Sequence, residues 1–116
     1  MMIYHKELGF PKVVSTVIGK TFTTQFSSHA KQSCRNDRYG FIIPPTSISV
    51  SMDNIIEIEV EGNTVTKVLI RQKYDSVKDI CIAFIPQSRV AFVKTLWLNM
   101  TTDKHYTLDE TKYNRV

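Results

Sequence analysis

No stretch of this sequence approaches ~18 consecutive apolar residues, which argues against a membrane-crossing helix. A signal peptide needs an apolar stretch near the N-terminus, where this chain carries His5, Lys6 and Glu7, so neither export by that route nor a membrane-spanning segment is expected. Cysteine is scarce too. Cys34 and Cys81 stand far apart without a CxxC spacing, too few for a disulfide framework or a metal site, and they read as reduced core thiols of a cytoplasmic protein. No metal or other cofactor is implied. Asn99, Met100 and Thr101 match a glycosylation acceptor, which means nothing without a secretory signal. Internal repeats and low-complexity tracts are absent as well.

What remains is the composition of one globular domain over residues 1–116, with 42% hydrophobic and 22% charged residues. The formal charge of +4 makes a polyanion such as nucleic acid the natural partner.

The two halves of the chain differ in character. From Ile55 to Asn99 four apolar, β-branched runs alternate with short breaks of Gly, Asn, Asp, Ser or Pro. Such breaks are too short for parallel crossovers, so the runs predict a four-stranded antiparallel meander. Before Ile55 the pattern is weaker. Residues 12–26 predict one strand or a ragged hairpin. Ser27 and Ser28 can cap a short helix in which Phe26, Ala30 and Cys34 recur at a spacing of four. Pro44 and Pro45 then impose an extended connector. The fold class expected is α+β, a short N-terminal helix packed on a four-stranded or slightly larger twisted antiparallel sheet. Its core is expected to hold Ile56, Ile58, Val60, Val68, Ile70, Cys81, Ala83 and Ile85 together with the helix stripe.

Strand parity decides where chemistry can sit. Lys67, Leu69, Arg71 and Lys73 share one face of their strand, opposite Val68 and Ile70. If the helix packs on the Val68 side, a row of cations is left facing solvent, where it either attracts phosphates or forms an ordinary solvated strand face. Lys94 interrupts the apolar run VAFVKTLWLN and could converge with Arg71 to stabilise a phosphorane-like transition state. Trp97 has the opposite parity from Lys94, which favours a core or helix-facing position over a base-stacking platform.

Of the three histidines, His5 falls in a terminus expected to be mobile and is set aside. His29 points about 100° away from the Phe26, Ala30, Cys34 stripe, toward the rim of the sheet. His105 follows the last strand, with Thr107 close behind. Two histidines with an arginine or lysine could act as general acid, general base and charge stabiliser in RNA cleavage by the 2′-hydroxyl. Taken singly, either histidine reads more readily as a surface residue making local hydrogen bonds than as a catalytic group.

A helix bearing His29, a meander bearing Arg71 and Lys73, and a terminal segment with His105, Thr107 and Tyr113 together resemble the barnase, EndoU, colicin and RelE group of metal-independent ribonucleases. The phage-encoded and RelE-like branches are the most similar, and the resemblance covers about residues 26–113. It implies a curved sheet that holds RNA. His29, Arg71, His105, Thr107 and Tyr113 would be catalytic, and Arg35, Arg38, Lys67, Lys73, Lys94 and Trp97 would bind substrate. It also implies an endoribonuclease, toxin-like, acting in the cytoplasm, the host's in the case of a phage protein, and possessing RNA and an inhibitor or host protein as partners. A reading of another class is a non-catalytic phage-type inhibitor or nucleic-acid-binding protein, which docks on a host enzyme through an exposed strand edge or its basic face.

Overall fold

The computed structural model describes residues 1–103 and 110–116. Its strands in chain order are β1 (Met2–His5), β2 (Thr21–Phe26), β3 (Ser47–Ser49), β4 (Ile55–Glu61), β5 (Thr64–Lys73), β6 (Lys78–Gln87) and β7 (Val90–Met100). One helix, α1 (Ser28–Arg35), lies between β2 and β3, and 3-10 turns occupy Lys12–Thr16 and Glu110–Lys112. None of these helices is long and apolar enough to cross a membrane.

Tight turns build the meander as the sequence predicts. Glu61 pairs with Thr64 across Gly62 and Asn63, with Gly62 at φ 59°, a left-handed conformation that glycine adopts without strain. Gln87 pairs with Val90 across Ser88 and Arg89, and here Ser88 itself takes φ 57°. Between β5 and β6 the Asp75 carboxylate accepts the backbone N–H groups of Val77 (2.9 Å) and Lys78 (2.7 Å). These bonds, that of Val77 foremost, hold its carboxyl below the usual carboxylate range.

The sheet is larger than four antiparallel strands. It has seven, in the order β1-β4-β5-β6-β7-β2-β3, and it is mixed because β2 runs parallel to β7, with Thr23 opposite Val90 and Phe26 opposite Val93. Connector length forbids parallel pairing only between chain neighbours, and most of the chain separates β2 from β7. Residues 2–5 form an edge strand on β4, with His5 opposite Glu57, in place of a mobile terminus. The segment after Pro11 winds into a 3-10 turn instead of a strand. The helix is accordingly not N-terminal, since it follows β2. Ser27 caps it, its Oγ accepting the Ala30 N–H at 3.0 Å. Ala30 and Cys34 point into the core, while Phe26 ends β2 and packs against it.

One face of the sheet carries that core. Ile55, Ile58, Val68, Ile70, Ile82, Phe84, Val93 and Leu96 are almost wholly inaccessible beneath α1, the Val14 to Val17 region, Ile42, Ile48 and Val50. Val68 and Ile70 are buried there as their parity predicts. Ile56, Cys81 and Ala83 are buried too but lie outside this cluster, and Ile80, Ile82 and Phe84 occupy the core in their stead. In ICIAFI both parities are apolar, so the pattern alone assigns no face. The bulkier Ile, Ile and Phe set fills the thicker core, and the smaller Cys and Ala face the other way.

Three bulges complete the difference. Ile56, Thr66 and Lys94 are skipped in the pairing of their strands. The extra residue at Lys94 lets Ala91 and Val93, then Leu96 and Leu98, all face the core, and turns Thr95 and Trp97 to the opposite side.

Candidate functional site on the open sheet face

Among the described residues, no α-helix lies on the opposite face of the sheet. Side chains on that face include Ile3 and His5 from β1, Glu57 and Glu59 from β4, Lys67, Leu69, Arg71 and Lys73 from β5, Asp79, Cys81 and Ala83 from β6, and Thr95, Trp97 and Asn99 from β7. Near β1 the face encloses a cavity of about 290 Å³. Its floor is apolar, made by Ile56, Leu69, Ala83 and Trp97, and its polar groups are His5, Glu57, Glu59, Lys67, Thr95, Lys112 and Tyr113. That volume sits at the small end of the ~300–1,000 Å³ of ligand pockets, enough for one ring-sized group.

The C-terminal segment is pinned beside β1 to form one wall. The Asn114 N–H donates to the Ile3 carbonyl (2.7 Å), and the Ile3 N–H donates to Asn114 Oδ1 (2.9 Å). This exchange brings the Tyr113 ring to 5.0 Å from the His5 ring. His5 is fully buried, and its Nδ1 accepts the Glu7 N–H at 3.1 Å, so the neutral ring carries its proton on Nε2. Burial lowers its pKa below the usual imidazole range, while Glu7 and Glu57 act in the opposite sense and Lys6 and Lys112 reinforce the lowering. A neutral His5 is therefore a hydrogen-bond donor at neutral pH. Beside it stand the carboxyl groups of Glu57 and Glu59, with Lys67 opposite Glu59 in the sheet.

Away from the cavity the face is tied into structural contacts. Arg71 donates from Nε to Asp79 Oδ2 (2.9 Å) and from Nη2 to the Met100 carbonyl (3.0 Å), and only 14% of its side chain is accessible. It fastens β5 to β6 and to the end of β7. Arg38 reaches round the sheet edge to donate to Asn99 Oδ1 (2.7 Å), and Asn99 in turn donates to Cys81 Sγ (3.7 Å). Burial pushes the Cys81 thiol up to about 11, so at neutral pH it is a protonated, buried group of the open face.

The residues expected to act together thus separate into groups. Lys67, Trp97 and Tyr113 meet in the cavity. Arg71 lies on the same face, two residues along from Leu69, held by Asp79. Lys73 is exposed at the end of β5. His29 is exposed on α1, which covers the core face, so the sheet stands between it and the cavity. Arg35 is exposed at the end of that helix. Lys94 is the exposed bulge residue, with Nζ 5.5 Å from the Phe92 ring, and it stands three residues along β7 from Trp97, the residue two strands across from Arg71. At ~3.3 Å per residue and ~4.8 Å per strand, Lys94 and Arg71 do not converge. His105 and Thr107 lie outside the described residues.

His5, Glu57 and Glu59 are cavity residues that the sequence reading passes over. A signal for the first was present: Ile3 and Tyr4 are good strand formers, and alternation across MIYH buries Tyr4 in the core and turns His5 to the open face. For the glutamates there was none beyond their alternation in IIEIEV, which describes any half-exposed strand. Comparison of the chain with protein-family models, with curated proteins and with solved structures finds no match.

Proposed function

We propose that the protein is a ribonuclease-like, cytoplasmic RNA-binding protein that takes single-stranded RNA on the open face of its sheet, with the cavity beside His5 as its centre. The observation that supports this reading most is the joining of a carboxylate pair, a neutral imidazole, a phenol and two lysines above a tryptophan floor, on the face of the sheet that α1 does not cover. Trp97 stacks an unpaired base, and Lys67 and Lys112 face the phosphate. Cleavage follows from the same groups. The Glu57 carboxylate takes the proton from the 2′-hydroxyl, the oxygen attacks phosphorus, and the bond to the 5′-oxygen breaks. The two lysines offset the charge on the phosphoryl oxygens, and His5 or Tyr113 donates a hydrogen bond to them or to the leaving oxygen. The leaving 5′-oxygen takes up a proton from water, Glu57 releases the proton it took to solvent, and the products are a 2′,3′-cyclic phosphate and a 5′-hydroxyl. Arg71 supports the face through Asp79, and His105 with Thr107 remains part of the proposed active set through the terminal segment.

The test is a labelled single-stranded RNA at low salt, with EDTA present. Expected are binding that weakens steeply as salt rises, cyclic-phosphate products, and no cutting of the 2′-deoxy oligonucleotide. Glu57→Gln should slow cleavage by about 10²–10⁴-fold with affinity nearly unchanged. Absence of RNA affinity at low salt removes the reading altogether. Binding without cleavage in the wild type keeps the RNA site and removes the catalytic assignment.

A further inference from the structure

One wall of the cavity beside His5 is not part of the sheet. Lys112 and Tyr113 reach it from the C-terminal segment, which is held by contacts to β1 and to the turn that follows β1. Asn114 exchanges two hydrogen bonds with Ile3, of 2.7 and 2.9 Å. The Tyr113 ring rests on the His5 ring, with centroids 5.0 Å apart and planes tilted by 58°. Val116 lies against Gly9, where an added Cβ would come within 3.3 Å of its Cγ2. Between the strand, the turn and the segment sits His5, sealed from solvent.

His5 also fixes that turn. Its Nδ1 accepts the Glu7 N–H (3.1 Å) and its carbonyl accepts the Leu8 N–H (3.0 Å). The first of these bonds belongs to the neutral ring alone. A protonated imidazole is a donor at both nitrogens, so its Nδ1–H would face the Glu7 N–H, donor against donor, in a buried place. Neighbouring charges do not remove that conflict. Among the described residues, Lys6 and Glu7 adjoin His5 in the chain, Glu57 faces it from β4 and Lys112 from the C-terminal segment, while Glu59 and Lys67 oppose each other farther along the cavity. Burial opposes the charged ring most, Lys6 and Lys112 add to it, and Glu7 and Glu57 favour the charge. A protonated ring must therefore turn outward, against whichever neighbour is held least. β1 is paired with β4 over four residues and anchored by buried Tyr4, so the segment bearing Tyr113 gives way first.

We infer that the C-terminal segment is an acid-released wall: protonation of His5 breaks its bond to the Glu7 N–H, turns the ring against Tyr113 and frees residues 112–116 from β1. The cavity is then complete at neutral pH and loses Lys112 and Tyr113 in acid. Linkage gives the sign. With the segment docked the His5 pKa lies below 6.5, so docking is at full strength above 6.5 and weakens as pH falls from there through the docked value. The coupling is reciprocal, so loosening the segment raises the His5 pKa toward 6.5. Nothing in this device depends on which ligand the cavity takes.

Amide hydrogen exchange of the full chain, read by NMR and divided by the intrinsic rate at each pH, tests this without RNA. Protection of the Ile3, Glu7 and Asn114 amides should fall by up to about tenfold for each pH unit below 6.5, the limit for one linked proton. The amides of Val68 and Ile82 in the core strands should keep theirs. His5→Gln, whose side-chain oxygen can accept the Glu7 N–H but takes up no proton, should make all three protections independent of pH. Asn114→Ala removes the acceptor of the Ile3 N–H, and should lower Ile3 protection at pH 7.5 and move the His5 imidazole titration upward. Wild-type protection that does not change with pH overturns the inference, as does a His5→Gln variant that loses protection like the wild type. Loss at Val68 and Ile82 in step with Ile3 overturns it too, since that is unfolding of the whole chain. An imidazole titration unmoved in Asn114→Ala, with Ile3 deprotected, does the same.

Discussion

The two faces of one sheet follow different physics. On the covered face Phe84, Ile70, Ile82 and Val68 are sealed from water, and the Phe84 ring packs 5.6 Å from that of Phe22. Burial of aliphatic and aromatic area dominates there. On the open face the residues one position along the same strands are Arg71, Asp79, Cys81 and Ala83, with His5 and Glu57 nearer the edge. Stability on that side rests on a few directional bonds, and those bonds leave a cavity between them. The contrast teaches that a strand can serve as a core element on one side and as a site on the other, provided that charged groups on the second side find partners.

The sharpest way to break the comparison is to truncate one side chain on each face. Phe84→Ala should destabilise the chain by about 3–5 kcal/mol, the usual result of emptying a tight aromatic site. Leu69→Ala, on the half-buried cavity floor, should cost about 1–2 kcal/mol, because water can enter the space left behind. Urea denaturation measures both, and similar losses would erase the distinction between the faces.

A second effect is smaller. Arg71→Ala leaves Asp79 with little exposure and without its cation, and should cost about 2–3 kcal/mol, discounted from the deeply buried case by the residual solvent contact. A double-mutant cycle with Asp79→Asn separates the pair from the rest of the Arg71 contacts. A loss below about 0.5 kcal/mol would mean that Arg71 is not a fastening of the open face.

The smallest effect is the dependence on pH. Burial lowers the His5 pKa in the folded chain below 6.5, so the unfolded chain takes up its proton first as pH falls. The contribution is therefore fully present above 6.5 and is lost as pH drops from there through the folded value. Urea midpoints of the wild type and of His5→Gln, measured at pH 7.5 and 5.5, should show a steeper fall for the wild type. Equal slopes would remove the buried neutral imidazole from the account.

Much of the fold is legible in the sequence because the information is local. Gly62 and Asn63, Ser88 and Arg89, and Asp75 each sit where the meander turns, and Ser27 caps α1. Period two in TVTKVLIRQKY assigns Val68 and Ile70 to the core and Lys67 and Arg71 to the other face. The candidate site is less legible. Trp97 and Lys67 are readable as residues of interest, but their meeting with His5 and Tyr113 joins the two ends of the chain. His29, an attractive histidine on sequence grounds, is carried to the wrong side of the sheet by the helix that bears it.

By itself, then, the sequence determined the four-stranded meander, the capped helix and the faces of β5, since these depend on turn geometry and on alternation within single segments. Tertiary structure alone decided the edge strands β1 and β3, the parallel pairing of β2 with β7, the face of β6 and the turning of Trp97 to the open side. Each of these depends on partners distant in sequence, or on a single bulge such as that at Lys94. A one-residue insertion exchanges the two faces of a strand without leaving a mark in its composition.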